Sequence, residues 1–426
     1  LDEFEVKIKT VPNLAGKLSP DDLERFAHED NKPFDLGSYP LFRFTLIDDA
    51  DSSLLLFTIH HIISDGWSIG IFIRELTALI NDNSSNHEKP FQYGDYTQSQ
   101  TAYIASDSFR DDLNIVLNNL IGAPLYLDFP TDFTRPPEQS FKGNCIRFEI
   151  DDKIFEEVKK YCLNNNISHY MFFYSCFAVL VHKYSNLTDF IIGSIIAGRN
   201  HEEFENTMGL LSNSLLVRNV INKNDSIRKL IQNVKTQSLE LFQMQDVPSE
   251  LLIDRLVSER NLSYNPVFQI AFNYQNMDLG GISESAVKIE PVNFLSSTSM
   301  LDLMLTMREI NGQVNGFIEY CDELFKERTI LNFSKHYLNL VQAILENDNQ
   351  LVSELNILSH EEIGLIEKYS TAGNHYHKGK SVVELIDIAC SNFPDRIAIE
   401  SATEKITYRD FKTGIDTFSQ YLNNVL

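Results

Sequence analysis

Short apolar runs alternate along this chain with stretches whose apolar residues recur three or four apart, and that alternation predicts an α/β protein. Residues 4–9 alternate Phe4, Val6 and Ile8 with Glu5, Lys7 and Lys9, which predicts a half-exposed strand, and Ser19-Pro20 supplies a cap and a first position for a helix. Residues 54–59 form a nearly continuous apolar run of β-formers, which predicts a buried central strand. Immediately afterwards Ile69, Phe72, Ile73, Leu76 and Ile80 fall at helical spacing, so an amphipathic helix should lay its apolar side on that sheet. Residues 81–88 are polar without a period and form a surface loop, and a helical pattern then runs to about residue 121. Pro124, Pro130, Pro136 and Pro137 break regular structure and mark a crossing between two lobes.

Beyond the prolines, strands are expected near 146–150 and 190–193, with helices over 153–164 and 171–184. Asp302 and Tyr320 lie on two later strands, with an Asn311-Gly312 hairpin signal between them, and a long amphipathic helix covers 327–345. Residues 346–380 are polar and broken by Gly373 and Gly379, a linker with one short helix after Ser359. The expected organisation is an amino-terminal lobe over 1–129, a carboxyl-terminal lobe over 130–355, a linker over 356–380 and a truncated second domain over 381–426.

Composition narrows the field. With 43% hydrophobic residues in 426, the chain can bury a large core and is not a disordered protein. A formal net charge of −24 argues against nucleic acid or an anionic membrane surface as the main partner. Cys145, Cys162, Cys176, Cys321 and Cys390 show no Cys-x-x-Cys spacing, which points to reduced thiols and a cytoplasmic setting. The most apolar run, 171–181, is too short to span a bilayer before His182 and Lys183 interrupt it.

The candidate chemistry sits between the 54–59 strand and the helix after it, at His60, His61, Asp65, Gly66, Trp67 and Ser68. Strand ends are where open α/β sheets place their chemistry. If the strand stays extended, His60 and His61 point to opposite faces, so one is reactive and the other structural. Gly66 permits a sharp turn, while Asp65 and Ser68 can each cap the following helix. A metal site built from the two histidines and Asp65 is disfavoured by the opposed directions and by the lack of a third nearby histidine.

His-His-x-x-x-Asp-Gly followed by Trp-Ser resembles the signature of non-ribosomal peptide synthetase condensation domains, whose fold is the two-lobed one of chloramphenicol acetyltransferase with the active site in the cleft between lobes. Pro33-Phe34-Asp35-Leu36, Pro40-Leu41-Phe42-Arg43-Phe44 and Tyr93-Gly94-Asp95-Tyr96 are similar to further family segments, as are 208–214, 245–250 and 260–267 in the later half. Within these, Ser99 replaces a usual tryptophan, Leu211-Ser212 a usual Phe-Val, Ser249 a phenylalanine, Asn261 an aspartate and Tyr264 an arginine. The family's opening Ser-x-Ala-Gln-type and Arg-His-Glu-type motifs are absent, so several dozen residues are expected to precede Leu1. Residues 382–386, 393–399 and 406–411 resemble the start of an adenylation domain, whose phosphate loop and catalytic lysine would lie later.

The resemblance implies peptide-bond formation between thioesters held on the phosphopantetheine of upstream and downstream peptidyl carrier proteins, with no cofactor bound directly and an adenylation domain as neighbour in the same chain. By the same match His61 is the catalytic histidine, and imidazole suits a proton transfer near neutral pH. Asp65 is expected to be structural, with Arg218 as a conceivable partner, and the Gly66 N–H is a candidate oxyanion donor. Asn213, Asn265 and Pro266 are expected to shape the cleft through turn and strand-end chemistry. An epimerisation domain, a coenzyme-A-dependent acyltransferase of the same superfamily and a non-catalytic fragment are the alternatives.

Overall fold

The computed structural model describes residues 8–11, 25–26, 29–30, 32–48, 53–81, 89–259, 261–276, 297–310, 312–371, 379–401 and 403–425. Two sheets organise the unit that ends at Ser359. The smaller has strands β1 (Ile8–Val11), β2 (Phe42–Asp48) and β3 (Ser53–Ile59), with β1 parallel to β2 and β2 antiparallel to β3. Residues 4–7 of the expected first strand, and the helix expected after Ser19-Pro20 as far as residue 24, lie outside the described residues. Strand β3 is at the edge of this described sheet rather than at its centre, and Leu55 is 38% exposed. An apolar run cannot by itself distinguish the two positions, since a face covered by a helix needs apolar residues at either.

Period two then sorts the small sheet's side chains. On one face Phe44 and Phe57 stack at 4.6 Å, and Phe72 of helix α1 (Gly66–Ile80) lies 4.3 Å from Phe57. On the other face Ile47 and Leu56 bury against Phe26. The helix expected from Ile69, Phe72 and Leu76 is therefore seated on the sheet by its aromatic residue, which fixes where its first turn meets the end of β3.

Helix α2 (Tyr93–Ile104) and helix α3 (Asp107–Leu120) lead to the larger sheet. That sheet contains β4 (Gly143–Glu149), β5 (Asp189–Ile196), β6 (Asn213–Val220), β7 (Ile270–Asn276), β8 (Leu303–Ile310) and β9 (Gln313–Cys321), in the order β4-β9-β8-β7-β5-β6. It is mixed: β7 runs parallel to both β5 and β8, and the other pairs are antiparallel. Ile310 pairs with Gln313, and Gly312 takes φ +80°, the left-handed conformation a tight hairpin requires. Asp302 falls one residue before β8 rather than on it.

One face of the large sheet carries the main core. Helices α4 (Asp152–Asn165), α5 (His169–Ser185), α6 (Ile227–Gln243) and α8 (Glu327–Glu346) pack there, and α5 is buried on all sides from Met171 to His182. A helix apolar all round belongs between layers, which is why its sequence lacks an amphipathic period. The opposite face is covered by Phe109, Leu113, Val116 and Leu120 of α3 and by Leu252 of the short helix α7 (Ser249–Leu256), which join Ile191, Leu216 and Ala271 in a second core. The proline-rich stretch also runs along this sheet: Leu127 N–H donates to Gln269 Oε1 at 2.7 Å and Asp132 N–H to the Leu324 carbonyl at 2.9 Å. Arg135 clamps buried Asp302 with both its terminal nitrogens.

A separate compact unit starts at His360. It contains helix α9 (His360–Thr371), helix α10 (Val382–Asn392), the antiparallel pair β10 (Ile397–Glu400) and β11 (Lys405–Thr407), and helix α11 (Tyr408–Val425). Ser381 and Glu384 cap α10 reciprocally, and Lys412 reaches Asp387 at 2.8 Å.

Candidate active site at the turn between β3 and α1

Strand β3 stops at Ile59, and this changes the two histidines. The expected extension does not persist: His61–Ile63 form a single 3-10 turn, so the two side chains are not fixed on opposite faces of a strand. His60 caps that turn, with its Nδ1 accepting the Ile62 N–H at 3.0 Å and its ring edge-on to Phe34 at 6.0 Å between centroids. Because Nδ1 accepts, a neutral His60 ring carries its proton on Nε2. His61 is exposed at the start of the turn, and no hydrogen bond or ion pair holds its ring among the described residues. The structure thus separates a bound histidine from a free one by turn formation.

Asp65 is the anchor. Its side chain is 3% exposed and that of Arg199 is fully buried. Arg199 donates to Asp65 Oδ2 at 2.7 Å and Oδ1 at 3.0 Å, the bidentate geometry that suits guanidinium and carboxylate. Oδ1 also takes the Ser68 N–H at 2.9 Å, which caps α1, and the Ser68 hydroxyl at 2.8 Å. Oδ2 takes the Leu211 and Ser212 N–H groups, each at 3.1 Å. Burial pushes the Asp65 carboxyl up, but the hydrogen bonds and charge of Arg199, with those of Ser68, outweigh it and hold the group below its ordinary value of 3.8. Neither oxygen retains room for a metal ion, and no cluster of metal-ligand type occurs among the described residues.

This carboxylate ties α1 to the loop between β5 and β6. Ser68 Oγ bridges the Gly209 carbonyl at 3.0 Å and the Gly209 N–H at 3.1 Å, and Trp67 Nε1 donates to the Glu205 carbonyl at 2.8 Å. Trp67 and Ser68 are accordingly ties to the loop between β5 and β6, so only Asp65 of the two expected caps bonds an α1 N–H. Gly66 opens α1, where a first-turn N–H has no intrahelical acceptor.

Arg218 is not the partner of Asp65. It pairs with Asp189 on the adjacent strand, at 2.9 and 2.7 Å, and donates to the Ile121 carbonyl at 2.9 Å. Strand pairing places Arg218 opposite Ile191, within reach of Asp189 on the same face and along β5 from the loop that holds Asp65. The arginine that matters, Arg199, follows Gly198, whose φ is +64° and whose added Cβ would lie 1.9 Å from the Leu211 carbonyl oxygen. Gly198→Ala is expected to lower stability by more than about 1 kcal/mol and to loosen Arg199, measurable as a lower thermal midpoint.

Asn213 braces the 245–249 loop: its Nδ2 donates to the Gln245 and Val247 carbonyls at 2.9 and 2.8 Å, and its Oδ1 accepts the Ser249 N–H at 3.1 Å. Asn265 and Pro266 lie before β7. The Asn265 carbonyl accepts from Gln269 Nε2 at 2.7 Å, the Pro266 carbonyl from Phe268 N–H at 2.9 Å, and Val267 takes φ +72°. Gln275 near the far end of β7 is the residue beside Gly66, so the strand's length, about 3.3 Å per residue, separates Asn265 and Pro266 from the histidine turn. Arg260 lies outside the described residues.

The family model for the condensation domain matches residues 1–366. The chain belongs to the condensation-domain family. It is 30% identical over 408 residues to gramicidin S synthase 2 of Brevibacillus brevis, covering 95% of this chain and 9% of that protein. It is 30% identical over 420 residues to bacitracin synthase 2 of Bacillus licheniformis, covering 98% of this chain and 16% of that protein. The chain therefore spans 9% and 16% of the length of these curated relatives. Among solved structures, a holo four-domain nonribosomal peptide synthetase bound to AMP and glycine shares the fold at a TM-score of 0.76 and 22% identity, covering 100% of this chain and 33% of that one. The epimerization domain from the third module of tyrocidine synthetase B matches at a TM-score of 0.68 and 18% identity, covering 81% of each chain. The condensation-domain fold thus accounts for the mixed sheet. No described helix is long and apolar enough to cross a membrane.

Proposed function

We propose that this condensation domain joins a carrier-bound acyl or peptidyl thioester to the amine of a carrier-bound aminoacyl thioester. The observation that carries the reading is His61, an exposed imidazole free of internal partners among the described residues, on a turn that Asp65 and Arg199 lock in place. The amine nitrogen attacks the thioester carbon, and the carbonyl electron pair moves onto oxygen. When it returns, the C–S bond breaks and a thiolate leaves. His61 takes the proton released by the amine and returns it to the departing sulfur, so the ring ends as it began. The Gly66 N–H, at a helix start where the dipole is positive, serves on this reading as a donor to the developing oxyanion.

On this reading the substrates arrive on the phosphopantetheine arms of an upstream and a downstream carrier protein, and the reaction runs in the cytoplasm. Residues 381–426, within the unit after Ser359, are the beginning of an adenylation domain, a reading supported by the matches at 382–386, 393–399 and 406–411. The test is to supply the chain with donor-loaded and acceptor-loaded carrier proteins and to follow the acceptor carrier by intact-protein mass spectrometry. Gain of the donor acyl mass on the acceptor carrier, with loss from the donor, is the expected result. Inversion of a single loaded residue without transfer would instead favour epimerisation, and transfer from acyl-coenzyme A alone an acyltransferase of the same superfamily.

A further inference from the structure

Opposite the histidine turn, β7 and β8 carry a polar pair that the motif does not include. Gln275 and Arg308 are direct neighbours in the parallel register of these strands, and Arg308 Nε donates to Gln275 Oε1 at 3.0 Å. An arginine nitrogen can only donate, so this bond decides which way round the Gln275 amide lies: oxygen toward Arg308, nitrogen away from it. The nitrogen points to the start of α1, where Gln275 Nε2 is 3.8 Å from the position a Cβ on Gly66 would occupy. No acceptor holds that Nε2 among the described residues.

Hydrogen-bond donors of α1 and of β7 thus lie close together at Gly66. The Gly66 and Trp67 N–H groups at the start of α1 have no intrahelical acceptor, and the Gln275 primary amide beside them has both its N–H groups to give. Such a site is unsatisfied until an oxygen with partial negative charge enters it, which is the arrangement expected for the oxygen of a tetrahedral adduct. Arg308 is itself fixed. Its guanidinium lies 4.8 Å from the Phe317 ring centroid, and no carboxylate lies within ion-pair distance of it among the described residues. Burial draws its pKa down, only partly offset by Cys145 and Glu319, so the guanidinium is partly stripped of water.

We propose that Gln275 donates to the substrate carbonyl oxygen across from Gly66, and that Arg308 is the positioning residue that keeps the amide nitrogen turned toward it. The inference rests on the condensation reading above and assigns to β7 a second donor for the same oxygen. Freed of Arg308, the amide can turn its oxygen into the cleft and repel the developing charge. Gln275→Leu should lower kcat about 10²-fold with little change in KM, because the bond is made chiefly in the transition state. Arg308→Gln should lower kcat by a comparable factor, and Arg308→Lys, which keeps a donor to Gln275 Oε1, should recover most of it.

The experiment measures dipeptide formation by the chain with both loaded carrier proteins for the wild type, Gln275→Leu, Arg308→Gln, Arg308→Lys and the Gln275→Leu/Arg308→Gln double variant, with melting temperatures beside them. The double variant should be no slower than Gln275→Leu alone, since Arg308 acts through that amide. Three results would overturn the proposal: wild-type kcat in Arg308→Gln, losses that multiply in the double variant, or a loss that follows a fall in melting temperature without rescue by lysine. A wild-type chain that forms no dipeptide sinks the condensation reading and this inference with it; an active wild type beside an unaffected Arg308→Gln sinks this inference alone.

Discussion

His61→Ala should abolish dipeptide formation, lowering the rate about 10²–10⁴-fold, while the melting temperature stays within a degree or so of the parent. The two halves of the expectation come from the same geometry. His61 is exposed and holds no internal hydrogen bond among the described residues, so truncating it removes no packing and leaves no buried group unpaired. On the proposed reading, what it removes is the group that carries a proton from nitrogen to sulfur. His60→Ala is the control with the opposite signature. It deletes the acceptor for the Ile62 N–H and the edge contact with Phe34, which costs about 0.5–2 kcal/mol as a lost cap, and it disturbs the rate only through the turn. Near-normal condensation by His61→Ala would remove the proton-transfer role and leave positioning of the amine to explain the rate.

The amount legible in the sequence follows the range of each interaction. Helix α1 was readable because Ile69, Phe72 and Leu76 repeat locally, and its cap was readable because Asp65 stands just before it. The long α8 and the hairpin at Gly312 were readable from equally local signals, and buried α5 from its apolar composition alone. The partner of Asp65 was not, since Arg199 lies 134 positions away and nothing in the residues around it marks it above the other arginines. A Gly-Arg step directly after a core strand was the available signal, given that a buried aspartate must find a cation. The opposed directions of His60 and His61 hold only if the strand stays extended, and where β3 stops is not encoded by its apolar run: it ends at Ile59 and the chain enters a 3-10 turn. The Gln275–Arg308 pair depends on the register of two parallel strands, which local pattern does not encode.

Asp65→Ala and Arg199→Ala are each expected to destabilise the chain by about 3–5 kcal/mol, since each leaves the other's buried charge without its counterion. Dipeptide formation should be lost in both, because the turn bearing His61 and the loop at Leu211 are held together by this one carboxylate. The double variant should melt well above the level that the two single losses would predict if added, since it leaves no unpaired charge behind. Acid gives a second reading of the same pair. With its folded pKa held below the ordinary 3.8, Asp65 contributes its full stabilisation above that value and loses it as pH falls through the lower folded one. The melting temperature of the parent should therefore fall more steeply below about pH 4 than that of Asp65→Ala, whose carboxylate is already gone. Parallel acid profiles for the two chains, or an Asp65→Ala chain that melts like the parent yet forms no dipeptide, would move Asp65 from holding the loop to handling the chemistry.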